Sequence, residues 1–202
     1  KEVCLCAGAI HSPQLLMVSG IGDAGQLSKH GIEVKVSLQG VGDNLQDHPD
    51  YVSCYQADDH RLFGLSFKGL VHLAKETFRF FNKREGLLTS NFAEAGGFLK
   101  THARLDRPDI QFHFVVATVK DHARDWRAAL QHGFSNHICV LRPKSKGSIS
   151  LRSAYMKDAP IIDTNFMAEP EDRQTLINGI KLSNEIIKNE FMAKYKFKPL
   201  ND

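Results

Sequence analysis

GAIHSPQLLMVSGIG, which covers Gly8 to Gly22, decides how the first part of this 202-residue chain is predicted to fold. The preceding residues, KEVCLCA, have no helical period and predict a short buried strand that ends at Ala7. Gly8 permits a sharp turn, Ser12 is a typical N-cap, and Pro13 suits the first position of a helix. This order of strand, turn and helix is typical of an ordinary α/β connection. It is also suited to bringing a helix N-terminus close to an anionic ligand.

The composition is that of a globular protein and argues against several classes of function. Hydrophobic residues make up 42% of the chain, charged residues 24%, and the net charge of +3 argues against a nucleic-acid-binding surface. No apolar run approaches the roughly 20 residues that span a bilayer. The cysteines have no CxxC spacing, so no metal site is predicted. They are predicted to be small buried residues of a protein in a reducing compartment. They are Cys4, Cys6, Cys54 and Cys139.

Hydrophobic periodicity predicts a mixture of short strands and a few helices. The clearest helical period covers residues 65–81, and further helices are predicted over 23–30 and 175–187. Residues 39–50, which are rich in glycine, predict a loop. The predicted strands cover residues 32–38, 51–57, 95–100, 110–118, 136–142 and 147–152. Few of these strands are the continuous apolar runs of a parallel sheet. The predicted class is therefore α+β, a largely antiparallel sheet with helices on one face and a partial α/β segment before it.

Several motifs in a fixed order carry a family resemblance. GAIHSPQLLMVSGIG resembles the second signature of the glucose–methanol–choline (GMC) family of flavin-dependent oxidoreductases. HGIEV, GVGDNLQDHP, RPDIQFHF, LRPKSKGSISLRS and DAPIIDTNFMAEPEDRQTLINGIKLS follow in the order that such enzymes have. The resemblance is weaker over residues 58–90. KDHAR and SNHICVLRPKSKG are most similar to the choline dehydrogenase and bacterial aliphatic alcohol dehydrogenase branch.

The resemblance implies a cofactor and a division into domains. Residues 1–50 would be part of an FAD-binding domain, and residues 51–202 a substrate-binding domain. The family's GxGxxG motif for FAD is absent from this chain, and its catalytic histidine is expected beyond Asp202. With a first residue that is not Met, these features predict an internal piece of a longer enzyme, inactive alone. The residues expected near FAD are Ala7, Gly8, Asn44, Asp47 and His48.

The implied reaction is oxidation of a primary alcohol, such as choline or an aliphatic alcohol, to the aldehyde by hydride transfer to the flavin. A quinone or oxygen would accept the electrons, and nucleic acid is not an expected partner. The expected location is cytoplasmic, as in bacterial members, with peripheral association with a membrane as an open alternative. The competing hypothesis is a standalone, non-catalytic module that binds a small molecule or a protein partner. Residues 65–81 are predicted to pack in the core, or else to line a channel for long alcohols or contact a membrane quinone.

Asp50 and Glu94 are candidates for contact with the substrate. Asp50 occupies a position that is acidic in choline-oxidising relatives and helps hold the trimethylammonium group there. The alternative is that Asp47 and Asp50 are turn residues that accept hydrogen bonds from nearby N–H groups. Glu94 matches an acidic position on the sheet that faces the pocket in these relatives, or else it is a buried structural carboxylate.

Histidines on two predicted strands complete the candidate set. His113 shares the polar face of IQFHFVV with Gln111 and is an auxiliary catalytic candidate, because the family has a histidine in this strand in its choline-oxidising members. There it would stabilise an alkoxide or orient the substrate; the alternative is a histidine hydrogen-bonded within the sheet. His137 has no partner that the sequence reveals, so a structural role is predicted for it.

Overall fold

The computed structural model describes residues 2–119 and 130–200, so the KDHAR block lies outside the described residues. The chain forms two compact units, Lys1–Asp47 with Pro143–Asp172, and His48–Arg142 with Arg173–Asp202. These two units are not by themselves identified as an FAD-binding or a substrate-binding domain, so the predicted division at residue 50 stays a prediction. Within the described ranges, no helix combines the length and the apolar character needed to cross a membrane.

The first unit combines two helices with short strands. Asp23 caps the helix Ala24–Lys29, because its Oδ1 accepts the Gln26 N–H at 2.7 Å. The core holds Met17, Leu27 and Ile149. The elements are α1 (Gly8–Val18), β1 (Ile21–Gly22), α2 (Ala24–Lys29), β2 (Val36–Ser37), β3 (Asp43–Leu45), β8 (Gly147–Ser150) and β9 (Ile161–Asp163). Strands β1 and β2 pair in parallel, and β3, β8 and β9 form an antiparallel sheet in that order.

The beginning of the chain departs from the sequence-based prediction. Residues 2–7 are exposed and form no strand, so the expectation of buried Cys4 and Cys6 is wrong. A strand requires a neighbour for its N–H and C=O groups, and no strand among the described residues pairs with this segment. The helix begins at Gly8, so Ser12 and Pro13 lie inside it. Ser12 instead accepts the Ala7 N–H through its Oγ at 3.1 Å.

Two further predictions in this unit are corrected by strand pairing. The predicted strand 32–38 is reduced to β2, because only Val36 and Ser37 find partners on β1. The predicted loop 39–50 contains β3, which pairs with β8 across an irregularity between Asp43 and Leu45. In both cases the extent of pairing, and not the local hydrophobic pattern, determines where the strand begins and ends.

The second unit is built on a five-stranded antiparallel sheet, in the order β10, β4, β7, β6, β5. This confirms the predicted α+β class with a largely antiparallel sheet. Its strands are β4 (Asp50–Ala57), β5 (Ala93–Leu99), β6 (Ile110–Val115), β7 (Gly133–Val140) and β10 (Phe197–Pro199). Its helices are α3 (Phe67–Lys83), a 3₁₀ turn (Leu87–Thr89), α4 (Pro170–Ile187) and α5 (Glu190–Ala193). The first turn of α4 belongs to the first unit.

Helix α4 covers one face of this sheet. Leu176 and Leu182 pack against a buried cluster of Ile110, Phe112 and Ile138. Gly179 permits the close approach, because a Cβ at this position would lie 2.9 Å from a methyl carbon of Ile138. Alternation along the strands therefore assigns the even-numbered residues of β6 to the helix-covered face and the odd-numbered residues to the opposite face.

Helix α3 agrees with prediction in extent but not in environment. Its N-cap Ser66 accepts the Gly69 N–H at 3.1 Å. The expectation that its apolar residues pack in the core is wrong, because Phe67, Phe78 and Phe81 are exposed. The other two cysteines, Cys54 and Cys139, are buried as predicted.

Candidate functional site

A carboxylate and two histidines lie on the face of the five-stranded sheet that α4 does not cover. Asp50 is the first residue of β4, His137 lies within β7, and His113 lies within β6. His113 and His137 are directly opposite each other in the β6–β7 pairing. Asp50 pairs in register with Cys139, so His137 is its diagonal neighbour on the same face. The antiparallel register of three adjacent strands thus brings these side chains together.

Asp50 and His137 form a hydrogen-bonded ion pair when the imidazole is protonated. His137 Nδ1 lies 2.7 Å from Asp50 Oδ2, and the side chains of His137 and Asp50 are 17% and 24% exposed. The Cys139 thiol donates to Asp50 Oδ1 at 3.5 Å. Burial raises the pKa of Asp50, but the hydrogen bond from His137, its charge and the thiol together lower this pKa below its usual value. The carboxylate is therefore ionised at neutral pH.

The ionised carboxylate fixes the orientation of the His137 ring. A carboxylate only accepts hydrogen bonds, so Nδ1 carries the proton and donates it to Asp50. Nε2 of the neutral ring is then an acceptor on the partly exposed side of the sheet. This is the arrangement in which a carboxylate orients a histidine for proton chemistry, with Asp50 stabilising the imidazolium if Nε2 gains a proton.

His113 belongs to the same electrostatic site. It is half-buried beside His137, and its charge contributes to the lowered pKa of Asp50. Within the described residues no group of three or more His, Cys, Asp or Glu side chains is arranged to hold a metal ion.

Glu94 lies elsewhere in the second unit. It is exposed, at an irregularity between Ala93 and Ala95 on β5, so the alternative of a buried structural carboxylate is wrong. It lines a cavity of about 720 Å³ together with Phe114 and Phe134, which lie on the opposite face of the sheet from His113. The described structure therefore does not group Glu94 with Asp50, and its role as a substrate contact stays a prediction.

Two family models match the chain, one near each end. Residues 1–50 match the N-terminal GMC oxidoreductase model, and residues 143–201 match the C-terminal GMC oxidoreductase model. The chain belongs to the GMC oxidoreductase family. The order of motifs from GAIHSPQLLMVSGIG onward is thereby explained, and the predicted family is confirmed.

Known GMC-like proteins match along almost the whole chain. An alcohol dehydrogenase [acceptor] of Pseudomonas putida is 46% identical over 198 residues, and an oxygen-dependent choline dehydrogenase of Brucella anthropi is 38% identical over 199 residues. These matches cover 96% and 97% of this chain but only 35% of each relative. A structure of the Aspergillus oryzae formate oxidase, from a study of its FAD modification, matches with a TM-score of 0.81 and 25% identity, covering 96% of this chain and 38% of that one.

Of the residues that the GMC resemblance assigns to FAD, Ala7, Gly8, Asn44 and Asp47 lie in the first unit, and His48 is the first residue of the second unit. Gly8 begins α1 at φ +77°, with no atom within 4 Å of the space that a Cβ would fill. The N-cap is Ala7, and no side chain caps the helix. Asn44 has a φ of 62° and is exposed, as are Asp47 and His48. Small residues at an uncapped helix N-terminus leave the backbone accessible, and such a region fits a group that carries phosphates.

His137 is the site residue that sequence reasoning assigned to a structural role. Its partner Asp50 is 87 positions away, and the contact follows from the β4–β7 register. The HxC pattern was a usable signal, because His137 and Cys139 lie on the same face of a strand and both contact Asp50.

Proposed function

We propose that the protein is an FAD-dependent alcohol dehydrogenase that oxidises a primary alcohol to an aldehyde. The observation that carries the proposal is the Asp50–His137 pair, because it presents an oriented imidazole Nε2 on the uncovered face of the sheet. The alcohol and choline dehydrogenases among the relatives support this reaction class. When bound, FAD supplies the acceptor for the hydride that leaves the alcohol carbon.

The open backbone at Ala7 and Gly8 would hold FAD, together with Asn44, Asp47 and His48. The uncapped N-terminus of α1 favours negatively charged groups, because its N–H groups and helix dipole point outward. This role is independent of the contacts at Asp50 and is tested by the cofactor content of the protein.

The site residues of the second unit would orient the alcohol. His137 Nε2 accepts a hydrogen bond from the hydroxyl group, while Asp50 keeps the proton on Nδ1. His113, opposite His137 on β6, donates a hydrogen bond to the oxygen as negative charge develops on it. The resemblance places the principal catalytic histidine beyond Asp202, so His113 and His137 are assigned auxiliary roles.

A neutral aliphatic alcohol fits this site better than choline. Both carboxylate oxygens of Asp50 already accept hydrogen bonds, Oδ2 from His137 and Oδ1 from Cys139. A trimethylammonium group would have to compete with these contacts for the negative charge. The higher identity to the Pseudomonas putida alcohol dehydrogenase supports the same choice.

Anaerobic titration of the purified full-length protein tests the proposal. We expect the flavin absorbance to bleach on addition of 1-butanol or 1-octanol and to change little with choline. Subsequent addition of oxygen or a soluble quinone identifies the electron acceptor. A protein without flavin would contradict the proposal and favour the non-catalytic binding module. Preferential bleaching by choline that is lost in Asp50→Asn would assign Asp50 to cation binding instead.

A further inference from the structure

Helix α3 carries an exposed apolar stripe along one side. Phe67, Phe78 and Phe81 are 83%, 72% and 68% exposed, and Leu70 and Val71 are exposed between them. At 100° per residue, these side chains fall on one face, which extends about 21 Å along the helix from Phe67 to Phe81. Exposed phenylalanines in such a continuous row are unusual for a surface in contact with water.

A different face of α3 holds the helix on the protein. Leu73, Glu76, Thr77 and Phe80 are half-buried, and Glu76 accepts the Leu87 N–H at 2.9 Å. The apolar stripe is therefore additional to the contacts that attach the helix.

A basic stripe runs beside the apolar stripe. Lys68, Lys75, Arg79 and Lys83 are exposed and lie on the neighbouring side of the helix, and Arg84 follows at its C-terminus. Glu76, the one carboxylate within the helix, lies on the half-buried face, and it forms an ion pair with Arg79 at 3.9 Å. Glu85, just after the helix, forms a second ion pair with Arg79 at 3.1 Å, so the excess positive charge of the stripe comes from Lys68, Lys75 and Lys83. The outer surface of α3 thus combines apolar side chains with positive charge.

We propose that the outer surface of α3 binds the surface of a membrane that contains anionic lipids. The phenylalanines would enter the boundary between head groups and acyl chains, and the basic stripe would contact lipid phosphates. The complementary charge favours this partner over a second copy of the chain. A two-fold symmetric contact through the same stripe would bring like-charged basic stripes close together. The helix lies outside both ranges that match the family models, so this surface is not part of the matched family segments.

Sedimentation of the full-length protein with lipid vesicles tests the proposal. The vesicles are either pure phosphatidylcholine or a 70:30 mixture of phosphatidylcholine and phosphatidylglycerol. We expect binding to the mixed vesicles that weakens as salt is added, because salt screens the lipid charge. Phe67→Ser/Phe78→Ser/Phe81→Ser should lower the partition coefficient by about tenfold or more. Lys68→Gln/Lys75→Gln should lower it by a similar factor on mixed vesicles only.

Matched controls separate this surface from general hydrophobicity and charge. Phe191→Ser removes an equally exposed phenylalanine from α5, and Lys29→Gln/Lys181→Gln removes two exposed charges from α2 and α4. Both controls should bind like the wild type. Alcohol-dependent bleaching of the flavin in detergent should be the same in all variants, so loss of vesicle binding is distinguishable from failure of the proposed reaction.

Three results would overturn the proposal. One is wild-type protein that stays in the supernatant with both kinds of vesicle. Another is a triple serine variant that unfolds at much lower temperature than the Phe191→Ser control, which would mean that another part of the protein covers the stripe. The third is a wild-type dimer that becomes a monomer in the triple variant, which would assign the stripe to self-association.

Discussion

The Asp50 carboxylate accepts hydrogen bonds at both oxygens, from His137 Nδ1 and from the Cys139 thiol. Each donor restricts the rotation of the carboxylate, and the carboxylate in turn restricts the imidazole. The pair therefore behaves as one unit, and the effects of changing its members should not add.

Replacement of His137 tests this unit directly. We expect His137→Gln to lower kcat for 1-octanol by about 10²-fold, because glutamine cannot take up a proton as the imidazole Nε2 can. Asp50→Asn should cause a loss of the same order, because an amide can donate to Nδ1 and favour the other tautomer. The double variant should lose little more than either single variant. The measurements are steady-state kinetics and the rate of flavin reduction.

His102→Gln is the matched control for His137, because it removes an exposed histidine that contacts Asn178 Nδ2 at 3.2 Å. It should retain wild-type kinetics. Wild-type rates in His137→Gln, with an unchanged melting temperature, would return the Asp50–His137 pair to a structural role.

At the level of elements, the packing of α4 on the sheet depends on the absence of a side chain at Gly179. A Cβ there would lie 2.9 Å from Ile138 Cγ2 and 3.1 Å from Ile110 Cδ1, and both isoleucines are buried. The strands below cannot move aside easily, because β6 pairs with β7 over the whole length of β6.

Gly179→Val should therefore destabilise the protein by about 1–3 kcal/mol through overpacking. Urea unfolding followed by circular dichroism measures the change. Helix propensity does not explain such a loss, because valine is a better helix former than the glycine that it replaces. Gln174→Val, at an exposed position of the same helix, is the control for a valine on α4 without the clash. Equal stability of the two variants would mean that α4 can shift outward at little cost.

Helix α3 illustrates what a hydrophobic period can and cannot predict. The spacing of its apolar residues predicted a helix over 65–81, and the structure has one over Phe67–Lys83. The same spacing does not specify what contacts the apolar side, because a core, a membrane surface and a partner protein all select the same pattern. The environment of the stripe came from the exposed fractions of its phenylalanines.

For the whole molecule, the sequence predicted the antiparallel sheet of the second unit and most of its strands. Asp50 and His113 were candidates through the family resemblance, but their grouping with His137 required the register of β4, β7 and β6. Residues 2–7 were misassigned because the lack of a helical period was taken as evidence of a strand, whereas a strand also needs a paired neighbour. Long-range pairing was thus the missing information in both cases.

Acid stability depends on carboxylates in both units. In the first unit, buried Asp172 accepts hydrogen bonds from the Lys144 N–H, the Ser145 N–H and the Ser145 hydroxyl, the last at 2.5 Å. Burial raises the pKa of Asp172, but these hydrogen bonds together lower it below its usual value. In the second unit, Asp50 also has a lowered pKa. Each therefore contributes stability that is fully present above the pKa of the unfolded chain, about 4.

That contribution should be lost as the pH falls below about 4, through the lowered pKa values of the folded protein. Melting temperatures measured between pH 7 and pH 3 test this. Asp172→Asn should be less stable than the wild type at pH 6, by about 2 kcal/mol, because an amide cannot accept all three hydrogen bonds at its one oxygen. Its melting temperature should then fall less steeply toward pH 3, so that the two curves converge.

Asp106→Asn, in an exposed loop, controls for the change in net charge. Parallel curves for Asp172→Asn and the wild type would show that Asp172 does not contribute to acid unfolding. The carboxylates to examine would then be Asp50 and Asp59, because the hydrogen bond from Arg61 lowers the pKa of Asp59 to about 2.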